Sequence, residues 1–474
     1  MITVIFLFLS LVVFYVKVYF LLASIYILVI FWKTRSWQKT VVYTFWPLAV
    51  YYVGQLYVFR VIQPEELKNP LYPDGRSLFF KFTPLMVLGV SMLVTWSIRL
   101  ISQKIRCNWL IVILLIITIT RQISAINAGI LPWWALLGNT ITNLSGVLWI
   151  WWVSDYLQIS NKKEKMYFWK YFNYFLKTIV IIGSLLVIFQ GLKGSGLGLV
   201  VEQSAALPYS GSISDKGLLN RPIGLWTHAN DAAYAILCFL LAWGLTNFYI
   251  AKKTELINEK WLLLPLVALI WLQSRSVFLT ALPLLGWGWY FYKEEIKNVV
   301  KKIKIGLWGW LVGLVIVFLG TTVITDRFWH SVVNFGPYDA WDVREKLFLV
   351  AKNVLSHHLW WGIGDGNFIP IAFREDMSET MKLFPEAVHN GWTLLLVEQG
   401  VIGIIIWIIF LTILIKMWWN FTRKNIKRRW YLIVLIVSQS TVMMFQPFSN
   451  ILSIGVMLGM ILLASEDDKE KKAV

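Results

Sequence analysis

The sequence predicts an all-α fold: a polytopic transmembrane bundle of 12–14 helices, with two long extracytoplasmic loops forming a helical cap. Three observations predict it. Of 474 residues, 58% are hydrophobic and only 15% are charged, whereas a soluble domain is nearer half apolar and a quarter charged. The apolar residues come in repeated runs of roughly 17–25, the length that crosses a hydrocarbon core about 30 Å thick. The basic residues recur in short clusters on alternate connections between those runs.

The elements follow in order. Residues 1–32 are apolar from Ile2, without a basic leader or a small-residue cleavage site. They read as retained membrane segment, either one long helix or a short pair broken near Lys17. Twelve further runs follow at 41–59, 78–98, 108–126, 133–153, 174–192, 230–250, 261–273, 276–292, 305–325, 391–416, 430–446 and 450–464. Between them lie Lys33/Arg35/Lys39, Arg99/Lys104/Arg106, Lys162/Lys163/Lys165, Lys252/Lys253/Lys260, Lys293 through Lys304 and Arg423 through Arg429. Lysine and arginine resist translocation, so these clusters mark cytoplasmic loops. The opposite face then holds connections 60–77, 127–132, 193–229, 274–275, 326–388 and 447–449.

The net charge of +18 therefore reports topology and contact with anionic membrane lipids, and no nucleic-acid partner is expected. Cys107 and Cys238 offer neither a disulfide framework nor metal-ligand spacing. No cofactor and no metal are expected. With no long polar segment to form a soluble unit, residues 1–474 read as a single integral-membrane domain.

Loops 193–229 and 326–388 exceed ordinary helix connections, and such loops are usually functional or disordered. Trp226, Phe328, Trp329, Trp341, Trp360 and Trp361 argue against disorder, so both loops are expected to fold back on the membrane surface as one cap. Within the longer loop, 341–358 carries apolar residues at Val343, Leu347, Val350, Ala351, Val354 and Leu355, one face at helical spacing. Asp342 and Glu345 have capping-box spacing. This helix is expected to lie flat on the outer leaflet with Arg344 at the border of its apolar face. GIGDGNF, 362–368, then turns the chain.

The polar groups able to carry chemistry fall on the extracytoplasmic side of that map. Arg221 ends the first long loop, His228 and Asn230 stand at the mouth of the next span, Arg275 sits in a tight turn, and His389-Asn390 opens the span that carries Glu398. Several arginines with histidines suggest an anionic substrate, since guanidinium offers a planar donor fork that matches phosphate. Histidine suits proton abstraction from a hydroxyl. At a membrane surface the natural ligand of this kind is a lipid phosphate or diphosphate.

Arg-x-x-Gly followed by His-x-Asn at 221–230, Ser-Arg at 274–275, the Arg344 helix running into Gly-x-Gly at 362–364, and His-Asn followed by Glu-x-Gly at 389–400 resemble the bacterial O-antigen ligase and polysaccharide polymerase family. The resemblance spans 210–403. It implies a metal-independent glycosyltransferase of the type C kind, which moves a glycan from an undecaprenyl diphosphate carrier to an acceptor hydroxyl. Carried over, Arg221 and Arg344 are similar to the diphosphate-binding pair and His389 to the catalytic base. Arg275, His228, Asn230, Asn390 and Glu398 are possible supporting residues.

Each residue also has a plainer reading. Asn390 suits a helix N-cap, Arg275 a snorkelling arginine, and His228 and Asn230 structural roles. His357, His358, Trp360 and Trp361 suit an interfacial belt, and Gly400 and Gly403 close helix packing. Glu398 lies roughly 13 Å deeper than His389 at 1.5 Å per residue, and on a straight helix it faces away from the imidazole.

The expected function is a polysaccharide polymerase that extends a capsular, exopolysaccharide or O-antigen chain, possible partners including a chain-length regulator. A ligase acting on lipid A core, protein or a wall polymer is the first alternative. A flippase for the same lipid-linked glycan is the second.

Overall fold

A computed structural model describes residues 2–12, 16–50, 56–59, 80–82, 84–102, 109–128, 133–193, 196–197, 210–214, 217–226, 229–250, 263–272, 274, 277, 280, 283, 286–291, 293, 340–364, 366–375, 381, 387–421, 430–431, 433–434, 436–437 and 440. The expected spans 305–325 and 450–464, together with Cys107, His228 and Arg275, lie outside the described residues.

The described residues fold largely as helices. They are α1 (Ile2–Val12), α2 (Val16–Thr34), α3 (Trp37–Val50), α4 (Pro84–Ser102), α5 (Trp109–Ala128), α6 (Trp133–Ile159), α7 (Lys162–Lys193), α8 (Ala229–Ile250), α9 (Leu263–Leu272), α10 (Ala340–His357), α11 (Phe368–Glu375) and α12 (Gly391–Phe421). Among the described residues, three stretches are long and apolar enough to cross a membrane: Ile111–Ala128, Lys162–Lys193 and Gly391–Asn420. The protein is a multi-pass helical membrane bundle.

The N-terminal segment is a pair of helices, not one rod. Phe6 stacks on Tyr26 at 4.3 Å between ring centroids, and Thr3 bonds Tyr26 at 3.1 Å, so α1 folds back along α2. The run expected at 41–59 is not helical to its end, because Leu56–Phe59 forms strand β1, antiparallel to β2 (Phe80–Phe82). A second pair, β3 (Ser210–Ser214) and β4 (Gly217–Arg221), occupies the first long loop, with Ser210 opposite Arg221. That loop thus brings a hairpin to its end of the bundle, where a helical contribution was expected. Glycines 211 and 217 and alternation in Ser212-Ile213-Ser214 favour a short extended pair over a helix.

The two-sided arrangement has a direct structural mark. Lys39 Nζ meets Glu164 Oε1 at 2.6 Å, and the Gln38 amide donates to Asp155 at 3.0 Å. The first basic cluster and the one at 162–165 therefore share one end of the bundle. The other end holds the close of α5, the start of α6, the close of α7 and the start of α8. The starts of α8 and α12 are where the candidate residues enter.

The core is aromatic. Trp149, Trp152, Trp243, Phe168 and Phe410 are fully buried. Phe45 stacks on Trp149 at 5.3 Å. Offset stacks of this kind add roughly 0.5–1.5 kcal/mol beyond the area they bury. Where no water is present, packing and interhelical hydrogen bonds carry association. Tyr171 donates to the Tyr43 carbonyl at 2.6 Å, and the Asn173 amide donates to Thr246 at 3.0 Å.

Candidate active site

The segment that carries Arg344 differs from expectation in its setting. Helix α10 is already formed at Ala340, so Asp342 lies inside the first turn and pairs with Lys346 at 2.8 Å instead of capping. Its apolar face, Leu347, Val350, Ala351 and Val354, is buried in protein and not laid on lipid. Those residues form one cluster with Phe368, Ile371, Ala372 and Phe373 of α11 and with Val388, Leu394 and Val397. Arg344 is half-buried between Val343 and Leu347 of that cluster, and His389 is half-buried beside its Val388. Each residue thus follows, in the chain, a residue that belongs to or packs against that one cluster.

His389 immediately precedes the cap of α12. Asn390 Oδ1 accepts the Thr393 N–H at 3.0 Å, and the Asn390 carbonyl accepts the Leu394 N–H at 2.8 Å. This satisfies one donor that every helix start leaves open. The plainer reading of Asn390 is therefore its structural role, and that cap fixes where residue 389 leaves the helix axis.

Helix α12 is not continuous. At Gly400 the backbone has φ 64° and ψ −174°, a combination that is essentially glycine-only. The chain after α10 is inserted into this break. Ile363 N–H donates to the Val397 carbonyl at 3.0 Å and Gly364 N–H to the Glu398 carbonyl at 2.7 Å. On the far side, Val401 N–H donates to the Leu359 carbonyl at 2.9 Å and Ile402 N–H to the Trp360 carbonyl at 3.2 Å. A helix break inside an apolar segment strands backbone groups that water cannot reach. Here residues 359–364 answer them on both sides.

Glu398 completes the joint. It is 3% exposed, and its Oε1 accepts the Gly366 N–H at 2.9 Å. A Cβ at Gly362 would stand 2.5 Å from the Glu398 carbonyl oxygen, so only glycine permits that approach. Gly364 packs on Ala125 of α5, and Ser124 donates to the Trp361 carbonyl. Residues 359–364 with Gly366 thus form a plug for the α12 break, bolted to α5. Glu398 serves it as a backbone acceptor.

At the far end of the plug, His358 Nε2 bonds Glu375 Oε1 at 2.7 Å, and Arg374 approaches the same oxygen at 3.2 Å. Burial opposes ionisation of Glu375, but the His358 and Arg374 hydrogen bonds outweigh it and hold the carboxyl below its ordinary value. His358 therefore belongs to a tie between α10 and α11, where an interfacial belt was expected. Trp360 and Trp361 are 63% and 44% exposed, as belt residues would be.

The remaining candidates are placed as follows. The backbone of Arg221 closes β4, and Asn230 is half-buried in the first turn of α8. Arg275 and His228 are outside the described residues. One residue outside the expected set stands out: Arg121, 6% exposed within α5, one turn from Ser124 and Ala125. An arginine inside an apolar run was its visible signal. No group of three metal-ligating side chains occurs among the described residues.

Residues 261–408 match the family model described as O-antigen ligase. No curated protein and no solved structure matches. The matched part takes in α9, α10, the plug, α11, His389 and the α12 break, whereas Arg221 and Asn230 precede it.

Proposed function

We propose that the protein is a cell-surface polysaccharide polymerase, acting on the extracytoplasmic side of the bacterial cytoplasmic membrane with an undecaprenyl diphosphate-linked glycan as donor. The observation that carries this reading is the family match over 261–408, which takes in Arg344 and His389 and supports the glycan-transfer chemistry that polymerase and ligase share.

In this reading His389 takes the proton from a sugar hydroxyl of a lipid-linked repeat unit. The hydroxyl oxygen forms a bond to the anomeric carbon of the donor glycan as the bond from that carbon to the diphosphate oxygen breaks. The electron pair leaves with the diphosphate, whose growing charge Arg221 and Arg344 stabilise as preorganised donors. The proton held by His389 then passes to solvent or to the released diphosphate. His389 must be neutral to act as the base. Asn390 supports the base by fixing the start of α12, and Glu398 supports Arg344 by fixing the plug that follows its helix.

A flippase reading draws on the break at Gly400, since transporters place binding groups on broken helices. In those sites the broken ends face substrate or ion. Here Val397 O, Glu398 O, Val401 N–H and Ile402 N–H all meet the plug backbone, which favours a structural joint over a transport site.

The test is purified protein incubated with one lipid diphosphate oligosaccharide and no other acceptor. A ladder of longer glycans, abolished by His389→Ala, supports the polymerase. No ladder, with transfer restored by a foreign acceptor such as lipid A core, assigns the ligase instead. Undiminished glycan translocation by His389→Ala, without transfer under either condition, would leave only the flippase.

A further inference from the structure

We infer that Gln190, near the end of α7, is the positioning residue for Arg221; the catalytic part of this inference rests on the function proposed above. Gln190 is 0% exposed. Its single amide oxygen accepts two backbone donors, Ile223 N–H at 3.0 Å and Gly224 N–H at 2.8 Å. Both lie just beyond Arg221, the last residue of β4.

The segment after Arg221 is built into the bundle. Pro222, Ile223, Gly224 and Leu225 are buried, and Trp226 N–H returns to the Ile223 carbonyl at 3.1 Å to close a turn. That turn rests on one face of α7, with Gly183, Val187 and Gln190 at helical spacing. Trp226 lies over Gly183, and Gly224 lies against Val187. Apolar contacts of this kind are non-directional and set no register. The two hydrogen bonds to Gln190 do. They fix the peptide planes two and three residues past Arg221, and so fix the direction in which β4 delivers residue 221 to the end of the bundle. Removing the acceptor leaves two buried N–H groups without their acceptor, which favours a shifted turn.

The experiment compares Gln190→Leu with Gln190→Glu, which keeps an acceptor oxygen in place. Two readouts are needed. The first is a cysteine at position 221 in a cysteine-free background, labelled by a charged thiol reagent, with Ser356→Cys, an exposed position on α10, as control. Gln190→Leu is expected to change the labelling rate at 221 several-fold and leave 356 alone, while Gln190→Glu restores the rate. An unchanged rate at 221, or an equal change at both cysteines, overturns the inference.

The second readout is kcat/KM on the lipid diphosphate oligosaccharide. Gln190→Leu is expected to lower it by on the order of ten- to hundredfold, as small misplacements of a binding group do. In an Arg221→Lys background the same change is expected to add little, because both act through one group. Multiplying losses overturn a role exerted through Arg221. If the labelling behaves as expected but no transfer is found with any acceptor, the positional role stands and the proposed function fails.

Discussion

Replacing Gly400 by alanine tests the joint at the centre of α12. Two costs can be worked from the structure. The backbone at φ 64° and ψ −174° is one that a residue with a Cβ adopts only at about 1–3 kcal/mol. The added Cβ would also run into the Trp360 carbonyl and stand 2.6 Å from the Gly362 nitrogen. Both are backbone atoms, so no side chain can swing aside, and such overpacking costs about 1–3 kcal/mol more. The sum is about 2–6 kcal/mol, a large fraction of an ordinary folding stability of about 5–15 kcal/mol. The alternative to strain is undocking of the plug, which strips partners from Val397, Glu398, Val401 and Ile402 and is no cheaper. Thermal unfolding in detergent, with hydrogen exchange over residues 359–367, measures the outcome. Gly400→Ala is expected to lower the Tm clearly and to lose protection at Gly362, Ile363 and Gly364. The control is Gly366→Ala, where φ is 76° but nothing lies within 4 Å, so only about 1–2 kcal/mol of backbone strain is expected. Wild-type Tm and protection in Gly400→Ala would refute the plug.

Three further outcomes follow from the same geometry. Glu398→Gln retains an acceptor for Gly366 and should keep activity and plug protection largely intact, whereas Glu398→Ala should cost about 1.5–3 kcal/mol; equal damage from both, read by Tm, would mean that the charge matters and not the acceptor. Asn390→Ala should cost about 1 kcal/mol through the lost cap, and Asn390→Asp or Asn390→Ser should recover most of it in the same thermal scan. Glu375 has a carboxyl held below its ordinary value in the folded protein, so its contribution is complete above the unfolded carboxyl pKa of about 4.3 and is lost as pH falls through the lower folded value; Glu375→Gln should therefore lower the Tm at pH 7 and flatten its decline in the acid limb, and a mutant with the wild-type acid slope would refute that assignment.

What the sequence makes legible is decided by whether the cause is local. Span lengths and basic clusters are local in this sense, and the shared end of Lys39 and Glu164 agrees with the alternation they imply. The amphipathic spacing of Val343 to Leu355 is local too, and α10 forms there. What covers its apolar face is not. That face is buried by α11 and by residues 388–397, partners far along the chain, and the same periodicity would serve equally for lying on lipid. Asn390 is legible as a cap because its acceptor works within three residues.

The α12 break marks the boundary of that legibility most clearly. Gly400 sits in a run apolar enough to cross a membrane, and glycine in such a run reads first as a packing position. The glycines of GIGDGN read first as a turn. Only together do they have a different meaning, because one set of stranded backbone groups is answered by the other across some forty residues of chain. The consequence for function follows from the order of the parts. Arg344 rides on the helix that leads into the plug, and His389 precedes the half-helix into which the plug is inserted. The distance between Arg344 and His389 is therefore set largely through backbone hydrogen bonds. Glu398 belongs to this arrangement as the carboxylate that holds the plug by Gly366. Under the proposed function, changes that break the plug, such as Gly362→Ala, Glu398→Ala and Gly400→Ala, should lower kcat together without any of the three touching substrate, whereas changes at Arg344 should weaken donor binding directly.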